Sequence, residues 1–268
     1  MLNKIRVLNG NTLKILAAIF MVFDHVGVLF CPNVVWLRLV GRFSLPLFAF
    51  MISEGARYTK SKVKYVSLLS ALALICQLVY YFFDGGSLYM CILVTFSISI
   101  LLIYLLKFVK RTVFDSEKKF YVKALCIIAF FAACIVVYLI NTPEFVNKTG
   151  VSIDYGFAGI MLPVFASLFD FRGIEAPESV KKLDTIPTRV LCLAIGLLLL
   201  CYEVSIANVP ILSEVQPYSL LALLPLLLYS GKRGKFKMKW FFYIFYPFHL
   251  AALYGIYYVI MLAKFGYI

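Results

Sequence analysis

Charged residues are scarce in this chain of 268 residues, and acidic residues are scarcer than basic ones. Charged side chains make up 15% of the sequence, with 13 Asp and Glu against 26 Lys and Arg, while 63% of the residues are hydrophobic. A soluble domain is typically about one quarter charged and about half apolar. The deficit of charge therefore argues against a soluble domain and predicts a polytopic membrane protein.

Motifs for several common chemistries are missing as well. The seven cysteines form no CxxC pair and no metal-ligand spacing, and nearly all lie inside apolar runs, which argues against disulfides, zinc and a cysteine nucleophile. The chain has no P-loop, no GxGxxG pattern and no serine elbow. We therefore expect no bound metal, and no nucleophilic serine or cysteine.

Long apolar runs are the dominant feature of the sequence. A helix that crosses the hydrocarbon core needs about 20 residues, and nine runs approach or exceed that length: 13–31, 34–57, 63–83, 88–109, 121–141, 152–170, 187–206, 216–230 and 240–263. The eighth run is short and contains Pro217 and Pro225. The sequence predicts an all-α, polytopic membrane helical bundle of about nine transmembrane helices, forming a single integral membrane domain over residues 1–268.

Basic residues alternate between loops in a way that predicts orientation. With the N-terminus in the cytoplasm, most of the Lys and Arg residues fall on the inner side, as the positive-inside rule requires. The net charge of +13 is then explained by attraction to anionic lipid headgroups of the bilayer. We therefore expect no nucleic-acid partner.

Four ionisable residues lie inside the apolar runs, at positions expected deep in the bilayer. They are Asp24 and His25 in the first run, Arg42 in the second and His249 in the ninth. At a rise of 1.5 Å per residue, His25, Arg42 and His249 lie within a few ångströms of one level. Ionisable groups inside membranes normally face a partner or a water-filled cavity. We predict an Asp24–Arg42 ion pair, with His25 turned toward a cavity because adjacent helical residues point about 100° apart. A His25–His249 pairing is the open alternative.

Other polar residues lie nearer the ends of the predicted helices. The candidates for substrate binding are Arg38, Glu54, Asp154 and Tyr155. Arg38 is expected near the outer interface, where a long side chain can snorkel to water. The inner loops carry Lys60, Lys64, Lys232 and Arg233, which orientation alone can explain, or which could hold the phosphates of a cytoplasmic ligand.

Five segments together resemble the TraX family, whose members are membrane proteins linked to N-acetylation of conjugative pilin. They are LKILAAIFMVFDHVG, GRFSLPLFAFMISEGARYTKSKVKY, DYGFAGIMLPV, LLLYSGKRG and FYIFYPFHL, in that order along most of the chain. The resemblance implies an acyltransferase of the bacterial cytoplasmic membrane, which takes an acyl group from cytoplasmic acetyl-CoA or a related donor. The acceptor would be an extracytoplasmic amine or hydroxyl on a peptide, a pilin-like protein or a glycan.

The same resemblance implies roles for the buried polar residues. His25 is the candidate catalytic base, with Asp24, Arg42 and His249 as its partners. Acyl transfer needs such a base together with a donor or cation for the developing oxyanion, which Arg42 or a protonated His249 could supply. Direct attack by the acceptor is favoured, with an acyl-imidazole on His25 as an alternative.

Two other classes of function are compatible with these residues. A proton-coupled transporter or flippase would use Asp24, His25 and Arg42 as a proton relay. An assembly or scaffold protein would need no chemistry from them.

Overall fold

The structure, a computed structural model, describes residues 6–83, 86–207, 211–236 and 238–266. Helices dominate these residues: α1 Gly10–Leu29, α2 Val35–Gly41, α3 Ser44–Tyr58, α4 Lys62–Phe83, α5 Ile92–Phe114, α6 Phe120–Leu139, α7 Pro143–Thr149, α8 Gly156–Phe165, α9 Glu178–Lys181, α10 Ile186–Ile206, α11 Leu212–Val215, a 3₁₀ helix Gln216–Ala222, α12 Leu223–Leu227 and α13 Lys239–Phe265. Two-residue strands β1, Tyr89–Met90, and β2, Ser152–Ile153, pair in parallel. The predicted all-α fold class is confirmed.

Seven of the helical stretches in the described ranges are long and apolar enough to cross a membrane, fewer than the nine predicted. The other two predicted spans correspond to α8, which has 10 residues, and to the broken stretch Leu212–Leu227. Prolines account for the broken stretch, since Pro217 and Pro225 have no backbone N–H to donate within a regular helix. The nine apolar segments are therefore real, but two of them are short.

The second predicted span is one apolar stretch, Val35–Tyr58, built from two helices. The chain leaves α2 at Gly41 and begins α3 at Ser44, so Arg42 and Phe43 form the turn between them. Pro46 lies in the first turn of α3, where its missing N–H costs least, and it cannot donate to the carbonyl of Arg42. The proline thus defines the break beside Arg42.

The chain packs as two compact units. Unit 1 comprises Met1–Phe48, Leu74–Ser87 and Cys201–Ile268, and unit 2 comprises Ala49–Ala73 and Leu88–Leu200. In unit 1, α1 packs against α2 and α13. In unit 2, α5 packs against α6 and α8 around the fully buried Ile103 and Ile160.

Glycines bring α1 and α2 close together in unit 1. A Cβ atom added to Gly41 would lie 2.8 Å from Cα of Asp24, and one added to Gly27 would lie 3.0 Å from Cβ of Leu37. Small residues at such crossings let helix backbones approach closely within membranes. The close approach at Gly41 seats Asp24 directly against the end of α2.

Substitution of Gly41 by alanine should destabilise unit 1 measurably. The new methyl group meets backbone that cannot rotate away, and overpacking of this kind typically costs about 1–3 kcal/mol. Gly255→Ala is a matched control, since among the described residues no atom lies within 4 Å of its added Cβ. In thermal unfolding of the detergent-solubilised protein, only Gly41→Ala should lower the melting temperature. Equal melting temperatures for the two variants would contradict the close approach.

Candidate functional site

Asp24 is the centre of a partly buried polar cluster in unit 1. Its carboxylate accepts hydrogen bonds from two arginines, one oxygen from Arg38 at 2.9 Å and the other from Arg42. Arg38 and Arg42 are four residues apart at the end of α2, so both guanidinium groups reach the same face of α1. The predicted Asp24–Arg42 ion pair is present. Arg38, expected to snorkel at the outer interface, instead completes this cluster as a second partner of Asp24.

The two histidines of the chain lie against each other in the same unit. The ring centroids of His25 and His249 are 5.2 Å apart in an edge-to-face arrangement. The His249 ring also stacks on Phe245, with centroids 5.1 Å apart. The structure thus brings the imidazoles of α1 and α13 together, a pairing that the sequence analysis left open as an alternative.

Each histidine is held in the same tautomer by its own helix. Nδ1 of His25 lies 2.8 Å from the carbonyl oxygen of Met21, and Nδ1 of His249 lies 3.1 Å from that of Phe245. A carbonyl oxygen can only accept, so each Nδ1 donates its hydrogen to that bond and Nε2 carries the lone pair. Nε2 of His249 is buried and has no hydrogen-bond partner in the described part of the chain. Both rings are therefore set up to accept a proton at Nε2.

Gln216 belongs to this cluster and was not singled out from the sequence. It begins the 3₁₀ helix, is 1% exposed, and its side-chain oxygen accepts a long hydrogen bond of 3.5 Å from Nη1 of Arg42. A polar residue next to Pro217 inside an apolar run was the available signal. Its side chain is a buried polar group beside the arginine that binds Asp24.

An apolar groove of about 440 Å³ runs along α13 beside this cluster. It is lined by Val22 of α1 and by residues of α13 between Phe241 and Leu253, including His249. α13 continues as one helix through Pro247. The groove thus gives an apolar surface beside His249 within unit 1.

Glu54, a candidate for substrate binding, lies in unit 2 and has a structural partner there. Its carboxylate pairs with the guanidinium of Arg189, which also donates to Ser53 Oγ at 2.7 Å and to the carbonyl oxygen of Ala166 at 2.9 Å. Both charged side chains are buried. Because the carboxylate neutralises a buried cation, its geometry does not support a role in substrate binding.

A second set of charges in unit 2, some buried and some partly buried, was not identified from the sequence. Asp170 is 2.9 Å from Nζ of Lys107 and 3.2 Å from Nη1 of Arg57, which in turn lies 2.5 Å from Asp184. The Lys110 ammonium donates to the carbonyl oxygen of Asp170 at 3.1 Å. In the sequence these residues lie near helix ends and in a long loop, where membrane topology alone is enough to explain charged residues. In the structure these side chains tie α3 and α5 to the loop after α8.

The remaining candidates divide between the two units. In unit 2, the Asp154 carboxylate accepts a hydrogen bond from the Tyr89 hydroxyl, and Tyr155 has a left-handed backbone with a φ of 58°. The basic residues proposed for a cofactor are exposed, Lys60 and Lys64 in unit 2 and Lys232 and Arg233 in unit 1. The carbonyl oxygens of Lys232 and Arg233 accept from the backbone N–H groups of Gly10 and Asn11, which fixes that loop at the start of α1.

Known proteins include relatives of this chain. The sequence model of the family described as "TraX protein" matches residues 9–257. The chain is 26% identical over 260 residues to a protein of Dichelobacter nodosus named "Probable fimbrial assembly protein FimC, serogroup H1", and the match covers 90% of this chain and 92% of that protein. No solved structure matches.

Proposed function

Because the chain belongs to the TraX family, we propose that it is a membrane-embedded acyltransferase of the bacterial cytoplasmic membrane. It would move an acetyl group from cytoplasmic acetyl-CoA to an amine or hydroxyl on the extracytoplasmic side. The observation that carries the proposal is the histidine pair, in which both Nδ1 atoms are committed to backbone carbonyls and Nε2 is left as the base. A proton acceptor held in one tautomer is what the transfer step requires.

In this reaction His25 would take a proton from the acceptor and return it to the leaving thiolate. The donor supplies an acyl carbonyl activated as a thioester. As the acceptor nitrogen or oxygen bonds to the carbonyl carbon, its proton passes to Nε2 of His25, and the same proton is returned to sulfur as the carbon–sulfur bond breaks. His25 is the better candidate for this transfer, because it is partly exposed while His249 is 5% exposed.

The other residues of unit 1 would position this base. The Asp24 carboxylate, bound by Arg38 and Arg42, holds α1 against α2 and so fixes the orientation of the adjacent His25. His249 packs its ring on that of His25 and limits the rotation of the imidazole. Lys232 and Arg233 are the exposed cations of unit 1 that we propose for the phosphates of the donor. The same role for Lys60 and Lys64, in unit 2, stays a prediction from the sequence.

Incubation of the purified protein in detergent or nanodiscs with radiolabelled acetyl-CoA and a panel of amine and hydroxyl acceptors tests this function. We expect transfer of label to at least one acceptor class, and saturable binding of the donor without any acceptor. Absence of donor binding would overturn the proposal. Solute uptake into proteoliposomes that depends on Asp24 would instead support a proton-coupled transporter or flippase.

A role in fimbrial assembly is a second candidate, favoured by the name of the Dichelobacter nodosus relative. In that case the chain would contact pilin or a similar surface subunit, and the same subunit could be the acceptor of the acyl group. Co-purification with such a subunit, unaffected by His25→Ala, would support assembly without chemistry.

A further inference from the structure

The side chain of Gln216 is buried in the charged cluster of unit 1 without satisfying all of its hydrogen-bonding groups. It is 1% exposed, and its amide nitrogen has no hydrogen-bond partner among the described residues. A buried amide donor that is left unpaired costs free energy, so such groups are rare unless a ligand or water completes them. A second buried atom of the cluster, Nε2 of His249, is unpaired in the same way.

Arg42 determines which way the Gln216 amide points. A guanidinium group has only donors, so the atom that faces Nη1 of Arg42 at 3.5 Å must be the carbonyl oxygen of the amide. The side-chain nitrogen therefore points away from the arginine. Its two hydrogens need an acceptor that the described residues do not provide.

Both terminal nitrogens of Arg42 already have partners within unit 1. Nη2 binds the Asp24 carboxylate and Nη1 binds Gln216. Because Arg38 binds the same carboxylate, the two arginines and Asp24 carry one net positive charge, which would favour an oxyanion bound beside them. The Gln216 amide lies next to this charge, and its nitrogen has no hydrogen-bond partner among the described residues.

Resting on the proposed acyl transfer, we infer that Gln216 is a further catalytic residue whose side-chain N–H groups bind the carbonyl oxygen of the acyl group. The ligand recognised here is a neutral acyl carbonyl that becomes an oxyanion as the acceptor attacks. Arg42 holds the amide in the orientation that presents nitrogen, and His25 takes the proton from the acceptor. No covalent bond to Gln216 is formed.

Gln216→Glu is the most informative variant. The carboxylate has nearly the same shape and still accepts from Arg42, but it has no N–H to give to the acyl oxygen. Removal of one oxyanion donor typically lowers kcat about 10²–10³-fold, so we expect a loss of about 10²-fold in kcat. KM for acetyl-CoA should change little, because this interaction strengthens mainly in the transition state.

Ser44→Ala provides a matched control within unit 1. Ser44 is also buried, and its hydroxyl donates to the carbonyl oxygen of Ala17 at 2.9 Å, a contact with no place in the proposed chemistry. Gln216→Leu removes both the N–H donor and the oxygen that accepts from Arg42. Its melting temperature therefore measures how much the contact with Arg42 contributes to stability, separately from any effect on kcat. We expect Gln216→Glu to have the melting temperature of the wild type and a lower kcat. Ser44→Ala should have the kcat of the wild type.

Two outcomes would count against the inference in distinguishable ways. A wild-type protein that transfers acetyl groups while Gln216→Glu retains its full kcat would overturn the role of Gln216 alone. A wild-type protein that neither binds acetyl-CoA nor transfers its acyl group would overturn the proposed function, and the inference with it.

Discussion

Replacement of His25 by alanine should lower the rate of acetyl transfer by about 10²–10⁴-fold, the usual contribution of a positioned general base. The imidazole packs edge-to-face on His249, and its Nδ1 is tied to the carbonyl oxygen of Met21, so the position of Nε2 is defined by the helix itself. Alanine keeps α1 helical but removes the proton acceptor. Single-turnover transfer from labelled acetyl-CoA measures the chemical step directly.

Two comparisons separate catalysis from folding in that experiment. Ile19→Ala is a suitable control, because Ile19 is an exposed apolar residue of the same helix. His249→Phe keeps an aromatic ring against His25 and Phe245 but removes its nitrogens. If His25 is the base, His25→Ala should lose far more activity than His249→Phe. The reverse order would assign the base to His249, and activity retained in both variants would rule out a histidine base.

Depth along a helix was the part of the site that the sequence could predict. Because each residue adds 1.5 Å, counting residues was enough to bring His25, Arg42 and His249 to one level, and unit 1 contains all three together. The ion pair between Asp24 and Arg42 followed from the same counting and from the cost of an unpaired charge in hydrocarbon. The length of the apolar runs and their hydrophobic composition likewise predicted where the helices lie.

The direction in which a side chain points around its helix axis could not be predicted by counting residues along the sequence. Arg38 was placed by depth at the outer interface, but the approach of α1 to Gly41 brings its guanidinium onto Asp24. Gln216 lies in a 3₁₀ helix, whose tighter winding changes both the rise and the facing of its residues. Glu54 and Arg189 are 135 positions apart, so only the folded chain shows that they pair.

This last pair gives the largest expected effect on stability, since Glu54→Ala should cost about 3–5 kcal/mol, as is typical when one partner of a buried salt bridge is removed. Only 3% of the Arg189 side chain and 8% of the Glu54 side chain are exposed, so the arginine would be left without a counter-charge. The melting temperature in detergent should fall steeply. A role in substrate binding predicts a different result, in which KM rises while the melting temperature is unchanged.

An exposed pair in the same unit is the matched control. Glu178 and Lys181 form an ion pair at 3.2 Å whose side chains are 80% and 40% exposed, and such pairs contribute about 0–1 kcal/mol. Glu178→Ala should therefore leave the melting temperature almost unchanged. The double variant Glu54→Met with Arg189→Met should be more stable than Glu54→Ala, because it removes the stranded cation and fills the space with apolar side chains. A double variant less stable than the single one would show that the hydrogen bonds of Arg189 to Ser53 and Ala166, rather than charge neutralisation, hold this part of unit 2 together.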